Sequence, residues 1–205
     1  MSNILSFIKF LMREETESHT TVIPMVGFSP ISHMGHAADL GGAMAKLPGS
    51  KHIGISKKAD AFTPEERKGI LQKQWTAAKP EVHPVSGAGE TVRKAYDSMP
   101  EGKRHLHLLV GADRKGFAEG LKKSLEAGKV KEMEDKKFDS VTVHTPEDSD
   151  RSHGMSGTKM RAAANTGDKE TFRKHLGPAF SEKESDGIMS KVKAGIDFGA
   201  IPLKR

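Results

Sequence analysis

Gly27-Phe28-Ser29-Pro30-Ile31-Ser32-His33-Met34-Gly35-His36 directly follows the apolar run Val22 to Val26 and opens a predicted helix. A strand that empties through a Gly/Pro turn into a helix start aims unpaired backbone N–H groups and the positive end of the helix dipole at one spot. That spot suits an anion. Two histidines flanking a glycine strengthen the reading, because the glycine lets the backbone approach a phosphate closely.

Outward from this stretch, strands and helices alternate. Val22 to Val26 is the first strand, with Pro24 in a position where proline cannot donate to a ladder, so a late start or a bulge is expected. His52 to Ser56, Glu81 to Val85, His105 to Val110 and Ser140 to His144 supply four more. Leu106, Leu108, Leu109 and Val110 make the fourth the central-strand candidate. Between the strands lie helical patterns. The first carries Leu40, Met44 and Leu47, with Gly41 and Gly42 predicting tight packing or a loosened turn. Another starts at the capping box Thr63-Pro64-Glu65-Glu66 and is expected to run through Trp75 and Ala78 to Lys79. Others run from about Gly89 and from Phe117 to Glu134. Beyond the fifth strand the chain is helical, with Ser156 or Thr158, Asp168 and Ser181/Glu184 as start signals. This alternation predicts an α/β fold: a Rossmann-like five-stranded parallel sheet with helices on both faces and a C-terminal helical extension. Residues 1–20 are expected to form an N-terminal extension, an amphipathic helix (Ile4, Leu5, Ile8, Leu11, Met12) decaying into the polar run Glu14 to Thr20. Residues 21–167 are expected to form the main domain and 168–205 the C-terminal extension.

Composition narrows the function. The 205 residues suffice for one full core, and a net charge of +6 favours an anionic partner. One Trp and one Tyr leave little aromatic surface for stacking bases, which disfavours a nucleic-acid platform. With no cysteine there are no disulfides, thiolate zinc sites or cysteine nucleophiles. No run approaches the roughly 18 apolar residues of a membrane span. Ile4 to Met12 is interrupted by Lys9 and has no basic leader, so a cytoplasmic location is the expectation.

In a parallel sheet of this kind, ligands sit beyond the carboxyl ends of the strands near the point where strand order reverses. His33 to His36, Gly111 to Asp113 and Ser156 to Arg161 should all emerge there. Singly, each has a plainer reading: the histidines as turn or capping residues, Lys57 and Lys58 as solvated loop lysines, Arg161 as a surface helix residue. Together they resemble the nucleotidylyltransferase superfamily, marked by (H/T)-x-G-H near the N-terminus and an I-S-x-T-x-x-R-like motif near the C-terminus. Here these are His33-Met34-Gly35-His36 and Met155-Ser156-Gly157-Thr158-Lys159-Met160-Arg161. Ser56 to Arg67 is similar to the family's lysine-bearing loop and helix start, and Leu109-Val110-Gly111-Ala112-Asp113 to its Gly-Ala-Asp element. The likeness covers about Val22 to Gly167. Ile31 and Ser32 both intervene between Pro30 and His33, where many members have one residue, so a longer turn is expected.

The resemblance implies that an acceptor phosphate attacks the α-phosphorus of ATP or CTP and releases pyrophosphate, with adenylyl transfer favoured over cytidylyl transfer. It implies His33 and His36 at the triphosphate and transition state, and Lys58, with Lys57 as deputy, at the bridging and acceptor phosphates. Arg161 would hold the β- and γ-phosphates with Ser156 and Thr158. Gly27, Phe28, Gly35, Gly111, Asp113 and Gly157 would bind nucleotide. Mg2+ would be held mainly by the triphosphate, the acceptor being a phosphate monoester. A homo-oligomer is left open. Two other readings stand beside it. A class I aminoacyl-tRNA synthetase shares the His-x-Gly-His start, and Met189-Ser190-Lys191 superficially matches part of its second motif, but the chain is short for an anticodon domain. A catalytically inactive nucleotide-binding module of the same fold is the other.

Overall fold

The computed structural model of the chain describes residues 16–27, 31–58, 60–146 and 154–197. Five strands, β1 (Glu17–Val26), β2 (Ser50–Ser56), β3 (Glu81–Val85), β4 (Lys103–Leu109) and β5 (Ser140–His144), form one sheet in the order β3-β2-β1-β4-β5. Every neighbouring pair is parallel. The fold is therefore α/β and Rossmann-like, with its reversal of strand order between β1 and β4. No helix among the described residues is long and apolar enough to cross a membrane.

Strand β1 begins at Glu17, earlier than its apolar run suggests, so residues 17–20 belong to the sheet and not to a terminal extension. The polar residues there are tied by register: Ser18 opposite Arg104, His19 opposite His105 and Thr20 opposite Ser50. Pairing across the sheet, not hydrophobicity, extends the strand. The expected helix from Ile4 to Met12 lies outside the described residues. Pro24 sits in a bulge, since Ile23 pairs Ile53 but Val26 pairs Ile55, leaving an extra residue where no ladder N–H is required. Its carbonyl accepts a 2.5 Å hydrogen bond from the buried Thr91 hydroxyl.

The helices are α1 (Met34–His36), which runs through a π-helical turn (Ala37–Gly41) into α2 (Gly42–Lys46), then α3 (Pro64–Gln74), α4 (Ala88–Asp97), α5 (Lys115–Glu126), α6 (Gly157–Thr166), α7 (Lys169–Leu176) and α8 (Glu182–Asp197). The glycine pair thus marks both a loosened turn and tight packing: a Cβ on Gly41 would lie 3.3 Å from the Trp75 ring. The capping box at Thr63 and Glu66 forms with both bonds made. Helix α3 ends at Gln74, short of Lys79, because Trp75 leaves helical geometry and turns its ring inward, where it is 1% exposed. Helix α5 ends at Glu126, and a 3-10 turn at Lys131–Met133 completes the expected helical stretch.

Three apolar clusters result. Val22, Leu106, Leu108 and Val141 pack on one sheet face with Val92, Ala95 and Leu125. Ile23, Ile53, Ile55 and Leu109 pack on the other with Met44, Leu71 and Trp75. The third joins α6, α7 and α8 to Ile31, Phe62 and Ile70, so the C-terminal helices are built onto the turn before His33.

Candidate functional site

Ile31 and Ser32, the residues that lengthen the turn, are both buried and define its path. Ile31 enters the cluster of the C-terminal helices. Ser32 is clamped by α3: its carbonyl accepts from Gln74 Nε2 at 3.2 Å and its hydroxyl from Trp75 Nε1 at 3.2 Å. Gln74 Nε2 also donates to the Leu176 carbonyl at the end of α7, so one amide ties the turn to two helices. The longer turn is a packed element that fixes where α1 starts.

His33 is the N-cap of α1 and makes no side-chain capping bond, which leaves first-turn N–H groups directed beyond the strand ends. Its ring folds back over the helix to stack on His36, with centroids 3.8 Å apart. Gly35 makes this possible: a Cβ there would lie 3.0 Å from His33 Cε1 and Nδ1 and 3.4 Å from Met155 Cβ. Burial is the main force on both imidazoles. It lowers His33 to about 3, with help from His36 and His175, and lowers His36 to about 4 against an opposing pull from Asp113. Both rings are neutral near pH 7 and offer N–H donors without paying for a buried charge. His33 Nδ1 is buried with no hydrogen-bond partner among the described residues.

These rings face a cavity of about 580 Å³ at the carboxyl ends of β1 and β4. Gly27, Gly35, Gly111, Asp113, Ser156, Gly157 and Thr158 line it with His33 and His36. Three segments far apart in sequence therefore meet at the switch point, as their positions after strands predict. On the far wall Ser156 caps α6 by accepting from the Lys159 amide, and the following N–H groups at Gly157 and Thr158 begin a second helix N-terminus. Two helix starts thus flank one cavity.

The expected cations are arranged differently. Arg161 is 7% exposed and does not line the cavity; its Nη2 donates to Thr158 Oγ1 at 3.0 Å, so it holds the far wall from behind. The helical period explains this, because Thr158 and Arg161 stand three positions apart and so share one face of α6. Lys57 is drawn off by a 2.9 Å ion pair with Glu90 and Lys58 is exposed in the loop after β2; neither lines the cavity. Phe28 lies outside the described residues. The segment Met189–Lys191 is the interior of α8, with Met189 in the core and Lys191 paired to Glu66, so it is no catalytic loop.

Sequence reasoning missed Asp39, Leu40 and Arg114, which also line the cavity. The π turn widens the helix where Asp39 and Leu40 face inward, and no local signal announces that. Arg114 directly follows Gly111-Ala112-Asp113 and is exposed, with no side-chain ion pair or hydrogen bond among the described residues. Its place after the fourth strand was the available clue. No protein-family model matches this chain, and no curated protein is detectably similar to it.

Replacing Gly35 by alanine is expected to separate site from fold. Alanine favours a helix by about 1 kcal/mol over glycine, yet the new methyl would push the His33 ring off its stack. The melting temperature should hold or rise while any activity of the cavity falls roughly 10- to 100-fold. Parallel thermal melts and turnover assays check this.

Proposed function

We propose that the cavity binds a nucleoside triphosphate and transfers its nucleotidyl group to a phosphate-bearing small molecule, with ATP favoured over CTP. The observation that carries the reading is the stacked, neutral pair His33 and His36 at one helix start, facing a second helix start at Ser156 across the same cavity. An oxygen of the acceptor phosphate attacks the α-phosphorus, the bond to the bridging oxygen breaks, and pyrophosphate leaves with the electron pair. Such a reaction asks the protein chiefly for positioning and for donors where negative charge gathers. His33 and His36 donate to phosphate oxygens, and the N–H groups of α1 and α6 cradle the remainder. Arg161 orients Thr158, and Arg114 supplies an exposed positive charge on the cavity wall. An anion beside the two imidazoles raises their affinity for protons, so bound phosphate and imidazolium stabilise one another.

Magnesium fits this donor set. Asp39 and Asp113 line the cavity and carry the hard oxygen donors the ion takes, so they would hold it or its waters. Bound there, the ion would offset phosphate charge.

A non-catalytic nucleotide-binding module is the second reading, favoured by the positions of Lys57, Lys58 and Arg161 off the cavity wall. Pyrophosphate release with ATP and with CTP, against a panel of phosphate monoesters, separates the two. Turnover supports the transferase; nucleotide binding with no turnover on any acceptor supports the module; neither refutes both. Arg114→Ala is expected to raise the KM for nucleotide roughly 10-fold with little change in kcat, the loss of one charge-assisted bond made equally in ground and transition states. Steady-state kinetics on the variant checks it.

A further inference from the structure

At the opposite end of the sheet from the cavity, the parallel register of β2 and β3 assembles a second constellation. His52 pairs with Glu81 and Gly54 with His83, so the three side chains occupy adjacent positions on one face of the sheet edge. One ligand atom from each lies within 4.8 Å of the others. His52 Nδ1 is 3.0 Å from His83 Nε2 and 3.7 Å from Glu81 Oε2, while Glu81 Oε1 is 3.8 Å from His83 Nδ1.

The protonation of His52 can be read from its surroundings. Its Nε2 lies 3.0 Å from Ser50 Oγ and 3.3 Å from Ser98 Oγ. Both hydroxyls already donate elsewhere, Ser50 to Thr20 Oγ1 and Ser98 to the Ala95 carbonyl, so each can only accept from the histidine. Nε2 therefore carries the proton. The lone pair of Nδ1 is left pointing at Glu81 and His83, in the pattern by which a ligating histidine is oriented through its other nitrogen.

We propose that His52, Glu81 and His83 form a binding site for a divalent transition-metal ion of the zinc class, distinct from the cavity and pinning the edge strand β3 to β2. Two imidazoles and one carboxylate are a ligand set zinc accepts, with water completing the coordination. Bonds of about 2.0–2.1 Å in tetrahedral geometry place ligand atoms roughly 3.3 Å apart. The observed separations of 3.0 and 3.7 Å bracket that spacing. Glu81 is 65% exposed and free to swing inward. His83 shifts its proton from Nε2 to Nδ1, where Glu81 or water accepts it.

Glu17, His19 and His105 form a second group of comparable spacing at the start of β1 and β4, and it serves as the internal control. The test is Zn2+ titration of the full chain by calorimetry, with Co2+ titration read by visible absorption. Expected are one equivalent bound, a raised melting temperature, and an affinity at least about 10-fold lower in Glu81→Gln and about 100-fold lower in His83→Asn, the scale on which disturbed metal shells respond. His105→Asn should bind as the parent does. Glu81 is exposed, so Glu81→Gln keeps the fold and a clean readout. No zinc binding overturns the proposal. So does binding that survives both substitutions, or that is lost in His105→Asn instead.

Discussion

His36→Ala is expected to lower pyrophosphate release by about 100-fold or more while leaving the fold intact. The ring stands in the cavity wall, stacked on His33, and in the proposed transfer its donor acts where phosphate charge develops. Loss of one such donor costs about 10²–10³ in turnover in other enzymes. Its removal should cost the fold little, because His36 lies outside the three apolar clusters. Turnover with ATP and the best acceptor, alongside circular dichroism, is the measurement. Unchanged turnover would remove His36 from the mechanism. Arg161→Ala makes a useful contrast: it acts through Thr158 from behind the wall, so its loss should disturb the wall and melting together.

Acidification should weaken the fold before the carboxylates titrate. Burial holds His33 at about 3 and His36, His52 and His107 at about 4, whereas the unfolded chain titrates these groups near 6.5. Below 6.5 the unfolded state takes up protons that the native state refuses, so stability is complete above that pH and falls as the pH drops toward 4. His33 and His52, 6% and 2% exposed, carry the largest share. Each contributes on the order of 2 kcal/mol of lost stability by pH 5, a large fraction of a typical 5–15 kcal/mol. His107, partly exposed and bonded to His19 and His144, adds less after solvent screening. Urea midpoints at pH 7.5, 6 and 5 test this. A flat profile would mean that the buried imidazoles are solvated or paired in the native state.

The arrangement of histidines shows what a linear reading can and cannot supply. His33-x-Gly-His36 announces itself because its two imidazoles and its glycine are local, and the same holds for the caps at Thr63, Ser156, Asp168 and Ser181, each formed within a few residues. Local chemistry also makes the five strands and their alternation with helices readable. His52 and His83 do not announce themselves, since 31 residues separate them and only strand register makes them neighbours. Arg161, Lys58 and its deputy Lys57 stand off the cavity wall for a related reason. A motif position says which residue is near a site but not whether its charge reaches the cavity or is spent on Thr158 or Glu90.

By itself, then, the sequence determined the α/β class, the five strands, the caps and the strand-turn-helix start at Gly27 to His36, because each rests on periodicity or on bonds between near neighbours. The tertiary structure alone decided the early start of β1 at Glu17, the inward turn of Trp75 that clamps Ser32, and the residues that share a wall with the histidines. Those depend on pairing across the sheet and on packing between distant segments, which no local pattern encodes.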